Sequence, residues 1–318
     1  MEATDQIRRW GMVQMTAFSP TDVAFEGFRL TRERPVTLSI WAGFYFLVSL
    51  TMAIFMILSV GSEFTALEQA AQNGGDPQQS IDTLVKLLPF YAVSFPVGIC
   101  VMAVFACAVF RIVLGRPGGV VAHLALGEDE FRLMAVTLAV SLLMMVAMFG
   151  IALIIGMIVG IATAVAPPLA PLLGTVGGLA AFAGMIWVAV RLSLCGPMTF
   201  AERRIVVFRA WSVTRNHFWQ LFGAYILAFV MGIVAALMAY IVFVALAGVI
   251  MTALGGSLAD VGQLFRPDFS SIGGFFTPAM ILYQLFGATI TAIYYAVVLA
   301  PQAMAYAALV DYHGDPEG

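Results

Sequence analysis

Five long stretches of this 318-residue chain, 37–61, 83–127, 131–201, 203–259 and 269–310, contain no aspartate or glutamate. A charge at the centre of a bilayer costs from about 2.5 kcal/mol upward, and hydrocarbon offers backbone amides no partner. Long apolar runs kept free of acids are therefore read as helices that cross a membrane. The chain is 62% hydrophobic and only 10% charged, where a soluble domain carries about 25% charged residues. Its mean hydropathy is +0.98. Six runs reach the roughly 20 residues that a span needs: 37–60, 85–114, 133–165, 174–200, 218–254 and 279–310. The first is too long for the core of a signal peptide and lacks a small-residue cleavage site, so it is expected to stay as a helix. The predicted fold class is all-α: a polytopic membrane protein of six transmembrane helices arranged as three hairpins (37–114, 133–200 and 218–310), each introduced by a cytoplasmic amphipathic elbow helix. A cytoplasmic amphipathic segment at 1–36 precedes the 37–310 transmembrane domain, and a short acidic tail at 311–318 follows it.

The connections carry their own signals. Ser19-Pro20-Thr21-Asp22 supplies a capping serine, a proline at the first helical position and an acid in the first turn, so a helix starts there. It places Val23, Phe28 and Leu30 against Arg29, Arg32 and Arg34, and Pro35 ends it. Phe64, Leu67 and Ala71 keep a helical spacing beyond the first span, before the turn Asn73-Gly74-Gly75-Asp76-Pro77. Pro96 is a candidate bend in the second span. Residues 120–132 read as a short amphipathic piece. Gly156-x-x-x-Gly160, Gly174-x-x-x-Gly178 and Ala180-x-x-x-Gly184 predict close packing of spans three and four around the hairpin tip Ala166-Pro167-Pro168-Leu169-Ala170-Pro171. In 201–217, Ile205, Phe208 and Trp211 alternate with Arg203, Arg204, Arg209 and Arg215, the pattern of an interfacial helix. Phe265, Phe269, Phe275 and Phe276, in the glycine-rich 255–278, are expected to dip into headgroups.

Positive charge sets the orientation. Arg8, Arg9, Arg29, Arg32 and Arg34 precede the first span. Arg111, Arg116 and Arg132 lie between the second and third, and Arg191, Arg203, Arg204, Arg209 and Arg215 between the fourth and fifth. Only Lys86 and Arg266 of the 15 Lys and Arg residues fall elsewhere. By the positive-inside rule both termini are expected in the cytoplasm.

Two of these arginines sit inside apolar runs at matched places. Arg111 precedes Pro117, and Arg191 precedes Pro197, by six residues, and Tyr295 precedes Pro301 by the same spacing. The three closing stretches, with the pieces that introduce each pair of spans, suggest a threefold internal repeat of surface helix, span, hairpin and returning span. Arg111 and Arg191 are read either as snorkelling anchors or as cations that grip lipid phosphates or a partner's acidic groups. Arg111 is one short step from Arg116, about 7.5 Å along a helix, which suits snorkelling. Arg191 is deeper, about 16 Å before Glu202 on the same rise.

The stretch Ala210-Trp211-Ser212-Val213-Thr214-Arg215-Asn216-His217-Phe218-Trp219-Gln220-Leu221-Phe222-Gly223 resembles the W-x-x-T-R-x-x-F-W-x-L-F-G elbow of the glycerophosphodiester phosphodiesterase membrane domain and of related bacterial integral membrane proteins. The resemblance implies a six-span membrane domain. In some members of that family the domain precedes a catalytic barrel, which is expected to be absent here because no His-Arg-Gly signature occurs. The resemblance therefore implies no activity.

His123 with Glu128, Asp129 and Glu130 is read as a surface helix carrying solvated charge rather than a metal or acid/base cluster, and His217 as part of an aromatic belt. Cys100, Cys107 and Cys195 lack redox or metal spacing and read as packing residues. The arginines of 201–217 alternate with apolar residues beside a span, which points to anionic lipid rather than nucleic acid. The expected function is a non-enzymatic integral inner-membrane module of a bacterial type, without catalytic residues, cofactor or metal. It binds phospholipids with anionic headgroups, or another membrane protein or a second copy, through Arg111, Arg191, Arg203, Arg204, Arg209, Arg215 and Trp211. The alternative is a transporter or channel for lipid or a small solute. No carboxylate of the kind that couples transport to ions lies within any predicted span.

Overall fold

A computed structural model describes residues 19–72, 77–119, 121–253, 261–264, 266, 268–269 and 271–310. The first half of the amino-terminal segment with Arg8 and Arg9, the turn at 73–76, Phe265 and the acidic tail lie outside the described residues. So do the side chains of Leu67 and Ala71. Helix α1 runs Pro20–Glu33, α2 Pro35–Gln72, α3 Pro77–Val113 and α4 Glu128–Val165. After a 3-10 turn at Pro167–Leu169 come α5 (Ala170–Leu192), α6 (Cys195–Glu202) and α7 (Arg209–Val213). Helix α8 is Phe218–Ala253, α9 Val261–Leu264, α10 Ile272–Phe275 and α11 Pro278–Val310. Six helical stretches are long and apolar enough to cross a membrane: Pro35–Phe64, Val85–Val113, Glu128–Val165, Pro167–Glu202, Phe218–Ala253 and Pro278–Val310. The protein is an all-α polytopic membrane protein, as the acid-free runs predict. Among the described residues the sole extended pairing is an isolated bridge between Val121 and Leu124.

The chain divides into two compact units. One is drawn from Met1–Glu26, Ala106–Leu227 and Leu299–Gly318, the other from Gly27–Phe105 and Ala228–Val298.

In the second unit the first and last hairpins are both antiparallel. Trp41 of α2 meets Phe105 near the end of α3 edge to face at 5.7 Å, and Phe55 stacks on Phe90 near its start at 5.8 Å. Phe243 of α8 stacks on Phe286 of α11 with ring centroids 4.2 Å apart. Helix α2 continues to Gln72, as the spacing after Phe64 predicts, but it bends at Val60, whose backbone is non-helical at φ −147° and ψ 19°. The next residue explains why the bend holds a glycine. A Cβ on Gly61 would lie 2.5 Å from the carbonyl oxygen of Phe269. Phe275 is buried with Ala53 and Met280, and Phe269 and Phe276 pack against them. These rings are therefore spent on protein, not on headgroups as the sequence suggests, because the connection folds back onto α2.

The first unit holds the middle hairpin. Helices α4 and α5 pack antiparallel, but of the glycines that the small-residue spacing singles out only Gly174 lies against the partner helix. A Cβ added to Gly156, Gly160, Gly178 or Gly184 would meet nothing within 4 Å. The close approach is at Gly177, where a Cβ would lie 3.2 Å from Ile155, and more loosely at Gly174, 3.6 Å from Val159. Spacing alone fixes that glycines share a face, not which face the partner helix takes. The remaining surface of the hairpin is apolar all round: Leu153, Met157, Ile161 and Val165 on α4 and Leu179 and Phe182 on α5 are exposed. Such a helix pair suits hydrocarbon as its solvent.

Two elbows differ from their expected form. Residues 121–132 are not a separate helix: a tight turn occupies 121–124, and the span's own helix begins at Glu128. In 201–217 helix is confined to the last residues of α6 and the five residues of α7. Only α1 is the amphipathic helix its sequence predicts, with Val23 and Leu30 buried while Arg29 and Arg32 are exposed.

Candidate functional site

Arg111 closes α3. Gly115 adopts a left-handed φ of 67°, and the Arg116 amide donates to the Arg111 carbonyl at 2.9 Å, the six-to-one bond of a glycine-terminated helix end. Pro117 then blocks continuation. The chain turns sharply through Gly118, Gly119, Ala122 and His123, all at positive φ. Gly119 must lack a side chain, since a Cβ there would lie 2.8 Å from the His123 carbonyl oxygen. That turn delivers the His123 carbonyl to Arg111, whose Nη1 donates to it at 2.9 Å.

The same turn brings round the start of α4. Glu130 Oε1 lies 2.5 Å from Arg111 Nη2, and Asp129 Oδ2 lies 4.0 Å from it. Glu130 Oε2 accepts the Gly127 amide at 2.9 Å, so one carboxylate caps a helix start and neutralises a buried cation. Arg111 is 6% exposed and Glu130 1%. Arg132 pairs with Asp129 at 3.0 Å and with Glu128. The expectation that Glu128, Asp129 and Glu130 form a solvated surface face is thus corrected: Glu128 is exposed, while Glu130 is the partner of Arg111. Arg116 Nη1 and Nη2 donate to the carbonyls of Phe200 and Ala201 at 3.1 and 2.6 Å, in the last turn of α6. Phe200's ring lies 5.8 Å from the Arg111 guanidinium carbon and 5.6 Å from that of Arg116.

Arg191 sits in the last turn of α5 and meets a different environment. Pro197 would clash with the Ser193 carbonyl in a continuous helix, and the helix breaks between Leu192 and Cys195. The freed Ser193 hydroxyl lies 2.8 Å from the Val190 carbonyl and 2.9 Å from the Tyr225 hydroxyl. The guanidinium carbon of Arg191 is 5.3 Å from the centroid of Trp187, 5.9 Å from Trp211 and 5.6 Å from Phe218. Trp187 and Trp211 meet edge to face at 5.0 Å. Arg191 is 9% exposed, and its Nε and Nη1 have no hydrogen-bond partner among the described residues. No described carboxylate pairs with it. The elbow is locked beneath it: Thr214, fully buried, sets its hydroxyl 3.2 Å from the Arg191 carbonyl and 2.9 Å from that of Ala210.

The arginines of 201–217 separate into two sets. Arg204 and Arg209 reach the Glu202 carboxylate at 2.6 and 2.7 Å. Arg203, left-handed at φ 52° where α6 ends, and Arg215 are exposed. Neither meets a described carboxylate. The structure thus gathers Trp211 with Arg191 and ties Arg111, Arg204 and Arg209 to acids. His217 Nδ1 is buried without a partner among the described residues. Tyr295, which stands where the other closing stretches hold arginine, stacks on Phe105 at 4.7 Å with the rings 9° from parallel.

Sequence reasoning missed Glu130, Trp187 and Phe218. Glu130 had a signal, the third position of an acidic first turn. Trp187 also had one, four residues before Arg191 on the same helical face. The chain matches no family model, no curated protein and no solved structure.

Proposed function

We propose that this integral membrane protein is a non-enzymatic module of a bacterial inner membrane that holds an anionic phospholipid headgroup at Arg191, with both termini in the cytoplasm. The observation that carries the reading is a buried guanidinium with three aromatic rings around it and two donor nitrogens that no described residue satisfies. A buried cation without a counter-charge is unfavourable, and rings supply only part of what a carboxylate would. A phosphate diester supplies both acceptor oxygens and negative charge. Arg203 and Arg215, exposed and without a described carboxylate partner, add positive potential on the same elbow, which suits an anionic leaflet. The resemblance of 210–223 to the glycerophosphodiester phosphodiesterase membrane domain is consistent with a membrane module of this kind.

The test is native mass spectrometry of protein extracted gently from membranes containing phosphatidylglycerol. Arg191→Leu is expected to lower retained phosphatidylglycerol by about tenfold or more, the loss of one or two charge-assisted hydrogen bonds. Arg111→Leu paired with Glu130→Leu is expected to leave retention unchanged. Equal retention by wild type and Arg191→Leu overturns the reading.

A further inference from the structure

The second unit contains a cleft of about 520 Å³, within the size range of sites for small molecules and cofactors. One face of α2 lines it from Tyr45 to Met56, and one face of α3 from Phe90 to Val101. Twelve residues on each helix, or eleven rises of about 1.5 Å, make it about 16 Å long. Phe269 and Phe275 line the end nearest Met56 and Phe90. They are held there by the approach of the Phe269 carbonyl to Gly61 and by the burial of Phe275.

Two features define what fits. Among the described residues no aspartate, glutamate, lysine or arginine lines the cleft, so none of them balances a phosphate or an ammonium group. Yet Ser94 of α3 and Gln284 of α11 both line it, and neither side chain has a hydrogen-bond partner among the described residues. Each lies four residues, one helical turn, past the Phe90 or Met280 that marks the aromatic end. Polar groups within a bilayer require partners. Methionines at 52, 56 and 280 line the rest, flexible side chains that adapt to an irregular apolar occupant.

We infer that the cleft binds an uncharged lipid: a long hydrocarbon chain ending in a hydroxyl or ester carbonyl. The oxygen function sits with Ser94 and Gln284 below the aromatic cap, and the chain runs along α2 and α3 toward Tyr45 and Tyr295. The third closing stretch then carries tyrosine where the others carry arginine because its neighbour is a neutral ligand. This site is independent of the headgroup at Arg191.

The test uses a long-chain alcohol bearing a diazirine on its chain, irradiated with the full-length protein in nanodiscs. Saturable labelling is expected on peptides spanning 45–56 and 90–101. Unlabelled polyprenol and diacylglycerol are the competitors, and the stronger of the two identifies the source of the chemistry. Phosphatidylglycerol is expected not to compete. A Cβ at Gly98 meets nothing within 4 Å and Gly98 lines the cleft, so Gly98→Leu fills the space without a backbone clash and should cut labelling about tenfold. Gln284→Leu is expected to lower it several-fold, and Arg191→Leu to leave it unchanged. Non-saturable labelling, competition by phosphatidylglycerol, or full labelling of a folded Gly98→Leu protein overturns the inference. If Gly98→Leu does not fold, unchanged labelling of Gln284→Leu combined with Ser94→Ala overturns it equally.

Discussion

Arg111 and Arg191 begin from the same sequence, an arginine six residues before a proline at the end of an apolar helix, and reach opposite solutions. Arg111 is neutralised by Glu130 and capped by the His123 carbonyl. Among the described residues Arg191 has rings but no acid, and two of its donors are unsatisfied. The difference lies in the segment that leaves each helix. After α3 the chain turns back at once through left-handed residues and presents the acidic start of α4. After α5 it runs on into α6 and the elbow, whose single described carboxylate, Glu202, is taken by Arg204 and Arg209. A buried cation matched from within the chain is structural, whereas one that no described acid matches is what the reading proposed for Arg191 starts from.

The largest effect should come from the matched arginine. Glu130→Gln leaves Arg111 buried without its charge partner and is expected to cost about 3–5 kcal/mol, read as lower thermal stability in detergent. Replacing both Arg111 and Glu130 by leucine should recover most of that loss. Arg116→Leu removes the donors to the Phe200 and Ala201 carbonyls and should cost about 1.5–3 kcal/mol in the same assay. Arg191→Leu should cost no more than about 2 kcal/mol, the scale of cation–ring contacts, while changing lipid retention far more than either preceding variant. A loss as large as that of Glu130→Gln would break the comparison, because Arg191 would then be structural too. Smallest is Thr214→Val, expected to cost about 0.5–1.5 kcal/mol. It sharpens the comparison if it also weakens phosphatidylglycerol retention, by loosening the elbow that carries Trp211.

The spans, the amino-terminal helix and the packing of the middle hairpin were legible because they arise from local chemistry: apolar runs, a serine–proline cap and a proline-rich tip. The partner of Arg111 was not. Its approach depends on the turn through Gly118, Gly119, Ala122 and His123, where Ala122 adopts a left-handed conformation that its residue type does not advertise. The glycine face of the middle hairpin was read only in part, for a related reason: Gly174 meets Val159 as the spacing suggests. Gly156 and Gly160 share a face, yet Gly177 makes the close contact. The ring cage of Arg191 was half visible, since Trp187 is helical-neighbour information while Phe218 arrives from another helix.

The donors of Arg116 and their acceptors, the carbonyls of Phe200 and Ala201, stand 84 and 85 positions apart in the chain, whereas Arg111 finds Glu130 within a single turn. During synthesis the Arg111 pair can close as soon as the ribosome releases the beginning of α4. The Arg116 clasp must wait until the entire middle hairpin has been threaded through the translocation machinery. It therefore acts as a completion seal, formed only once that hairpin has entered and returned.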